Sequence, residues 1–372
     1  MDIWSSGPIP ETCASSPEEL VGLLRRSHSH WEGSSAIDTG WVFRGHARPY
    51  QLQASALRGA GPAGEPAGAG PQNDRKPRMD PVLSTYAKVF GKRYENADWL
   101  AWLRPSEAYR GGGSDEEWKL RLARVATEAM SHVGLVSNFG LMAREIKLYS
   151  SALEFAWHIA NNQFEHFRRY FHGELIHDVF AVAQHHGIPT VLLDWTFNPL
   201  VAAFFAASSA RALPNEKNGS LEIWALRWSY LDHPDARIKR MTVSPGITPF
   251  LDAQEGLFTW CPSAYLHHLH HGRYPAQEEI IVEDGSTFGM EKPLRRIVMP
   301  WNGPRKESNI ELLLQLLWRE HMSPAYLMPS FDNVAQAIRV QAGWMTRGDP
   351  SDLYKASQPS RDAIGDTNSA SS

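Results

Sequence analysis

Residues 183–210 read AQHHGIPTVLLDWTFNPLVAAFFAASSA, and they set the fold of the second half of the chain. A helix over residues 175–187 is expected to stop at Gly187. Glycine takes the left-handed conformation that closes helices, and Pro189 lies just beyond. Residues 188–194 read as a short buried strand. Asn198 is placed to cap, and Pro199 to open, a second helix over 199–210. A stop, a strand and a start explain the glycine, the prolines and the asparagine without chemistry. They leave Asp194-Trp195-Thr196 unexplained at the carboxyl end of the strand, where sites are often built.

Upstream, SPEELVGLLRRSHSHW at 16–31 opens with Ser16 as a cap, Pro17 at the first helical position and Glu19 three residues beyond the cap. WVFRGH at 41–46 alternates as a strand, with Trp41 and Phe43 on one face and Val42 and Arg44 on the other. Gly45 permits a turn or a close approach to the backbone. Helical patterns follow over 81–103, 115–133 and 141–170. Downstream, SLEIWALRW at 220–228, GLFTW, EEIIVED and RRIVMP read as strands, and 308–321 as a helix. This is an α+β chain with a mixed or antiparallel sheet and a largely helical N-terminal half. We expect a flexible N-terminus over 1–15, one domain over 16–347 with a mobile insertion at 59–77, and a disordered tail over 348–372.

The composition is that of an ordinary globular protein, with 42% hydrophobic and 21% charged residues in 372. The net charge of −4 gives no basic surface for nucleic acid. The arginines at 104, 110, 121 and 124 read as a solvated helix face. Two distant cysteines, Cys13 and Cys261, support no disulfide framework, so a cytoplasmic location is expected. The first residues lack the basic and apolar regions of a signal peptide, and no run is long enough to span a membrane. There is no GxGxxG after a strand, no P-loop and no GxSxG elbow.

Phe43-Arg44-Gly45 within WVFRGHARPYQLQASALRG, together with AQHHGIPTVLLDWTFNPLVAAFFA, resembles the FRG-domain family, which takes its name from this tripeptide. A weaker landmark is AQEGLFT at 253–259, and the resemblance runs from about 16 to 340. It implies a fold more than a reaction. Members occur among bacterial proteins, some in settings that suggest phage defence. A distant similarity to ADP-ribosyltransferases lies in the order of VFRG, LLDWTFNPLVAAFFA and then AQEGLF or QEEIIVEDGSTF. There the arginine holds the phosphate of NAD, and a glutamate stabilises the ribosyl cation. Asp194-Trp195-Thr196 departs from that family's usual Ser-Thr-Ser.

Two classes of function follow. In the first, an enzyme handles a nucleotide, with NAD as a substrate, in a cleft between the FRG strand and the HHG–LDWT turn. Arg44, His46, Asp194, Trp195 and Thr196 then bind substrate, the guanidinium of Arg44 gripping phosphate. His186 and one of Glu279 or Gln254 are the catalytic candidates. Gln254 fits the FRG pattern and Glu279 the transferase pattern, while Glu255 and Glu278 stay open beside them. Each has a bland counterpart: Arg44 paired to Asp194, Trp195 in the core, histidines capping a helix. In the second class the same groups form a structural network in a sensor or interaction module. The HHLHH run at 267–271 puts His267 and His271 on one helical face, yet no third ligand sits at a fixed spacing, so no metal is expected. No cofactor is assigned and the protein partner is open.

Overall fold

In the computed structural model, residues 7–26, 40–49, 51–57, 115–148, 178–213, 219–243, 249–303 and 308–345 are described. The single positions 5, 31, 83, 85, 86, 88, 156, 169 and 170 complete the set. The expected insertion at 59–77, the tail at 348–372, nearly all of the helical pattern at 81–103 and most of 146–170 lie outside them.

The elements run β1 (Glu11–Cys13), α1 (Pro17–Leu23), β2 (Trp41–His46), α2 (Asp115–Glu145), α3 (Asp178–His185), β3 (Leu193–Thr196), α4 (Pro199–Arg211) and β4 (Ser220–Arg227). They continue α5 (Trp228–Leu231), β5 (Lys239–Met241), α6 (Pro249–Ala253), β6 (Gly256–Trp260), α7 (Ala264–His271) and α8 (Gln277–Phe288). Then come β7 (Leu294–Pro300), α9 (Asn309–Arg319), α10 (Pro324–Leu327) and α11 (Phe331–Met345). Seven strands form one sheet in the order β1-β7-β4-β2-β3-β6-β5. The β1–β7 pair is parallel and the others are antiparallel. The fold is α+β with a mixed sheet.

Alternation along β2 divides the core as the sequence requires. Trp41 and Phe43 face a cluster that includes Leu20, Val201, Ala206, Ile223, Ile297 and Leu313, built with α1, α4 and α9. Val42 faces the other cluster, which joins Trp195 and Trp224 of the sheet to Val125, Phe180 and Ile281 of α2, α3 and α8. Gly45 points toward α4. A Cβ there would lie 1.9 Å from the Ala202 carbonyl oxygen, so the close approach is made by the protein's own helix.

The local signals hold at most helix ends. Ser16 accepts from the Glu19 N–H at 3.2 Å, while the Glu19 carboxylate reaches Ser15 rather than Ser16. Asn198 Oδ1 accepts from the Leu200 N–H at 3.1 Å, and Pro199 opens α4. Gly187 sits at φ 80° just after α3. Its N–H and that of Ile188 close the helix on the Gln184 and Ala183 carbonyls.

Four expectations are corrected. The strand read at EEIIVED is the helix α8, whose buried Ile280, Ile281, Asp284 and Gly285 recur at helical spacing. A run as short as Ile280–Val282 cannot distinguish the two by periodicity. The patterns at 115–133 and 141–145 belong to one helix, because buried Leu135 and Val136 carry the apolar face across the gap. Residues 11–13, assigned to a flexible N-terminus, form β1 and pair with β7. The strand expected over 188–194 begins only at Leu193 and includes Asp194, Trp195 and Thr196. Before it, the Thr190 hydroxyl takes the Leu192 N–H at 3.1 Å, a local turn bond that competes with a ladder.

Candidate functional site

Arg44 lies in the middle of the sheet, on β2, beside β3 and β4. Its side chain is 13% exposed. Nη1 donates to the Asp194 carbonyl oxygen at 2.7 Å and to Asp194 Oδ2 at 3.2 Å. Nε donates to His46 Nε2 at 2.9 Å, so His46 is the tautomer with its proton on Nδ1. Burial pulls the guanidinium below its ordinary value, and Asp194 opposes that pull. Among the described residues, Nη2 has no protein partner.

Asp194 is half exposed, at 53% of its side chain. Its carboxylate also accepts from Gln184 Nε2 at 3.2 and 3.0 Å. Gln184 Oε1 in turn accepts from the Thr190 hydroxyl at 2.5 Å. A continuous chain therefore runs Thr190, Gln184, Asp194, Arg44, His46 and joins α3, β3 and β2. Gln184 and Thr190 were not among the sequence candidates. Gln184 stands directly before the two histidines, where it was overlooked in favour of the titratable pair.

The histidines diverge. His185 stacks on Phe250 at 4.5 Å between centroids, half-buried. Burial and His186 lower its affinity for a proton, and Asp194 raises it, so this ring belongs to the electrostatic surroundings of the site. His186, the sequence candidate, is exposed and stacks on Phe139 of α2 at 6.0 Å.

Trp195 is 2% exposed in the core, and its Nε1–H donates to Thr259 Oγ1 at 2.9 Å. Thr196 is buried on the other face. Its hydroxyl donates to the Gln254 carbonyl at 2.6 Å and accepts from the Asn198 N–H at 3.0 Å. Gln254 Nε2 reaches the Leu327 carbonyl at 3.0 Å. Glu255 pairs with Arg26 at 2.5 Å and accepts from Asn198 Nδ2 at 3.0 Å. Thr196, Gln254 and Glu255 thus hold the β3–α4 turn to the start of β6.

Of the acidic candidates on α8, Glu279 is exposed and paired with Arg273 at 2.9 Å. The strand on which its sequence assignment rested is a helix. Glu278, one residue earlier, turns inward. Its Oε2 accepts from the Leu52 N–H at 2.8 Å. Burial acts most strongly on it and, with the charges of Glu279 and Glu222, pushes the carboxyl up to about 7 against two backbone N–H groups. Glu222 is the register partner of His46 on β4. It is 2% exposed and accepts from Arg296 Nη1 at 2.9 Å and Trp224 Nε1 at 3.2 Å. Arg296 also pairs with Glu11. Glu222 was missed, although a carboxylate inside the apolar run SLEIWAL is a visible signal.

A second buried polar group lies between α2 and α7. Tyr274 donates to Glu128 Oε2 at 2.8 Å, and His268 Nε2 is 3.4 Å from the same oxygen. His132 Nδ1 and the Tyr265 hydroxyl are 2.5 Å apart. Burial lowers His132 to about 4 against the pull of Glu128. In the HHLHH run, the His267 and His271 rings lie 4.3 Å apart between centroids, tilted by 40°. Among the described residues no group of three or more His, Cys, Asp or Glu side chains is placed to hold a metal ion. Among them, too, no helix is long and apolar enough to cross a membrane.

The arrangement defines an α+β domain with a buried arginine at a polar junction of sheet and helix. Residues 106–214 match the family model of the FRG domain. The match takes in α2, α3, β3 and α4 and does not include Phe43-Arg44-Gly45 or the element at 253–259. No curated protein and no solved structure matches the chain.

Proposed function

We propose that the chain is an enzyme of ADP-ribosyltransferase type, with NAD as substrate in the cleft between the FRG strand and the HHG–LDWT turn. Arg44 carries this reading. It is a buried guanidinium in which Nε and Nη1 are committed to protein and Nη2 is left to a ligand, a geometry suited to phosphate. Glu278 supplies the acid–base group in place of Glu279 or Gln254. A carboxyl that titrates near neutrality both accepts and returns a proton at working pH. The bond between nicotinamide and ribose breaks with its electron pair going to nicotinamide. The acceptor's O–H proton passes to Glu278 as its oxygen bonds the anomeric carbon.

Purified protein mixed with NAD should release nicotinamide or transfer label. Both should be lost in Glu278→Gln while the fold is retained. An intact protein that gains no thermal stability from any member of a nucleotide panel favours the second reading, a sensor or interaction module. The continuous Thr190–Gln184–Asp194–Arg44 chain supports that alternative, since such networks specify a fold without chemistry.

A further inference from the structure

The two arms of the proposed cleft start from neighbouring residues of one short strand. Asp194 holds Arg44 directly. Trp195, the next residue, lies in the core cluster that Val42 also faces, and its indole N–H donates to Thr259 Oγ1 at 2.9 Å. The Thr259 hydroxyl donates onward to Gln277 Oε1, also at 2.9 Å. Gln277 opens α8 and immediately precedes Glu278. All three are buried, Trp195 at 2%, Thr259 at 0% and Gln277 at 3% exposure. The start of α8 is held a second time, by the Gln277 N–H on the Leu52 carbonyl at 2.9 Å and the Leu52 N–H on Glu278 at 2.8 Å.

We propose that Thr259 is a positioning residue: by joining Trp195 to Gln277 it fixes the first turn of α8, and with it the Glu278 carboxyl, relative to the strand that holds Arg44. The role of Glu278 rests on the reading above, whereas the relay is a matter of geometry. A hydroxyl is the one small group that both accepts from an indole and donates to an amide oxygen. Valine of the same shape does neither, and serine does both. Without the relay the first turn of α8 gains freedom and Glu278 gains water. The groups facing that carboxyl are Glu279 on its own helix, Glu222 on β4 with its partner Arg296 on β7, and the Leu52 N–H.

The test is a ¹³C NMR titration of the glutamate carboxyls in the full chain, with Glu278→Gln assigning the resonance. In Thr259→Val the Glu278 midpoint should fall by about one pH unit toward the ordinary carboxylate range. Nicotinamide release should drop at least roughly tenfold, with NAD affinity held through Arg44 to within about twofold. Thr259→Ser should restore the wild-type midpoint. If Thr259→Val does not fold, Gln277→Met removes the acceptor alone and should give the same shift. An unchanged Glu278 midpoint in the folded variant overturns the proposal. A wild-type protein that neither binds nor cleaves NAD overturns the functional reading instead, and the titration still decides the relay.

Discussion

Arg44 and Asp194 meet directly, with Nη1 at 2.7 Å from the aspartate's carbonyl oxygen and 3.2 Å from its carboxylate. The guanidinium is buried while the carboxylate is half in water. The shorter bond is to the backbone, so the arginine holds the strand at least as much as it holds the charge. Arg44→Ala strips donors from the Asp194 carbonyl and from His46. It should cost about 1–3 kcal/mol in urea unfolding. Asp194→Asn keeps the carbonyl contact and an acceptor oxygen, and should cost less than about 1 kcal/mol. Equal losses in the two variants would show that the carboxylate, not the backbone contact, carries the pair.

Gly45 and Gly187 make opposite predictions from one residue type. A methyl at 45 would collide with the Ala202 carbonyl at 1.9 Å, so Gly45→Ala must push α4 away from β2. A loss of at least roughly 3 kcal/mol is expected, at the upper end of overpacking costs. A methyl at 187 meets nothing within 4 Å but is strained by φ 80°. Gly187→Ala should cost only about 1 kcal/mol. Thermal melts of the two variants check the order.

His132 and Glu278 give stability opposite slopes with pH. His132 titrates near 4 in the fold, below its ordinary value of 6.5, so the unfolded chain takes the proton first. Its contribution is full above about pH 6.5 and is lost as pH falls toward 4. Glu278 titrates near 7, above its ordinary 4.5, so the folded chain takes the proton first. Its contribution is present below about 4.5 and is lost as pH rises through 7. Glu278→Gln should therefore be more stable than wild type by roughly 2 kcal/mol at pH 8, and the gap should close toward pH 5. A constant gap in chemical denaturation across that range would contradict the buried position of Glu278.

Asn198 offers a test of the β3–α4 turn. It caps α4 through Leu200 and also donates to Glu255 at 3.0 Å. Asn198→Ala should cost about 1–2 kcal/mol, while Asn198→Ser keeps the cap and loses only the Glu255 contact. Denaturation midpoints of the pair separate the two bonds.

What the sequence disclosed was local. Ser16, Gly187, Asn198 and Pro199 mark helix ends through bonds made within a few residues, and those ends fall where their chemistry puts them. Strand alternation at β2 and β4 was legible because each face meets an apolar layer. The misreadings were tertiary. Ile280–Val282 could belong to a strand or a helix until a packing partner chose. The start of β3 moved by several residues because the Thr190 hydroxyl captured a backbone N–H. In the site, the Arg44–Asp194 pairing was already visible as an alternative. That Glu278 turns inward while Glu279 stays exposed was not, since it depends on which side of α8 faces the sheet. Trp195 was open in the sequence between a ligand contact and the core; it lies in the core, and Thr259, which it bonds, carried no signal at all.

The edge strand β1 has a temporal consequence. Glu11 and its partner Arg296 are separated by 285 residues. At synthesis rates of about 5–20 residues per second, the first strand waits roughly 15–60 s before the chain that completes its edge exists. Until then the short segment before α1 has no sheet to join. Among the described residues the last strand to be made is the one that seats the first, so β1 and β7 are ordered together, late in synthesis.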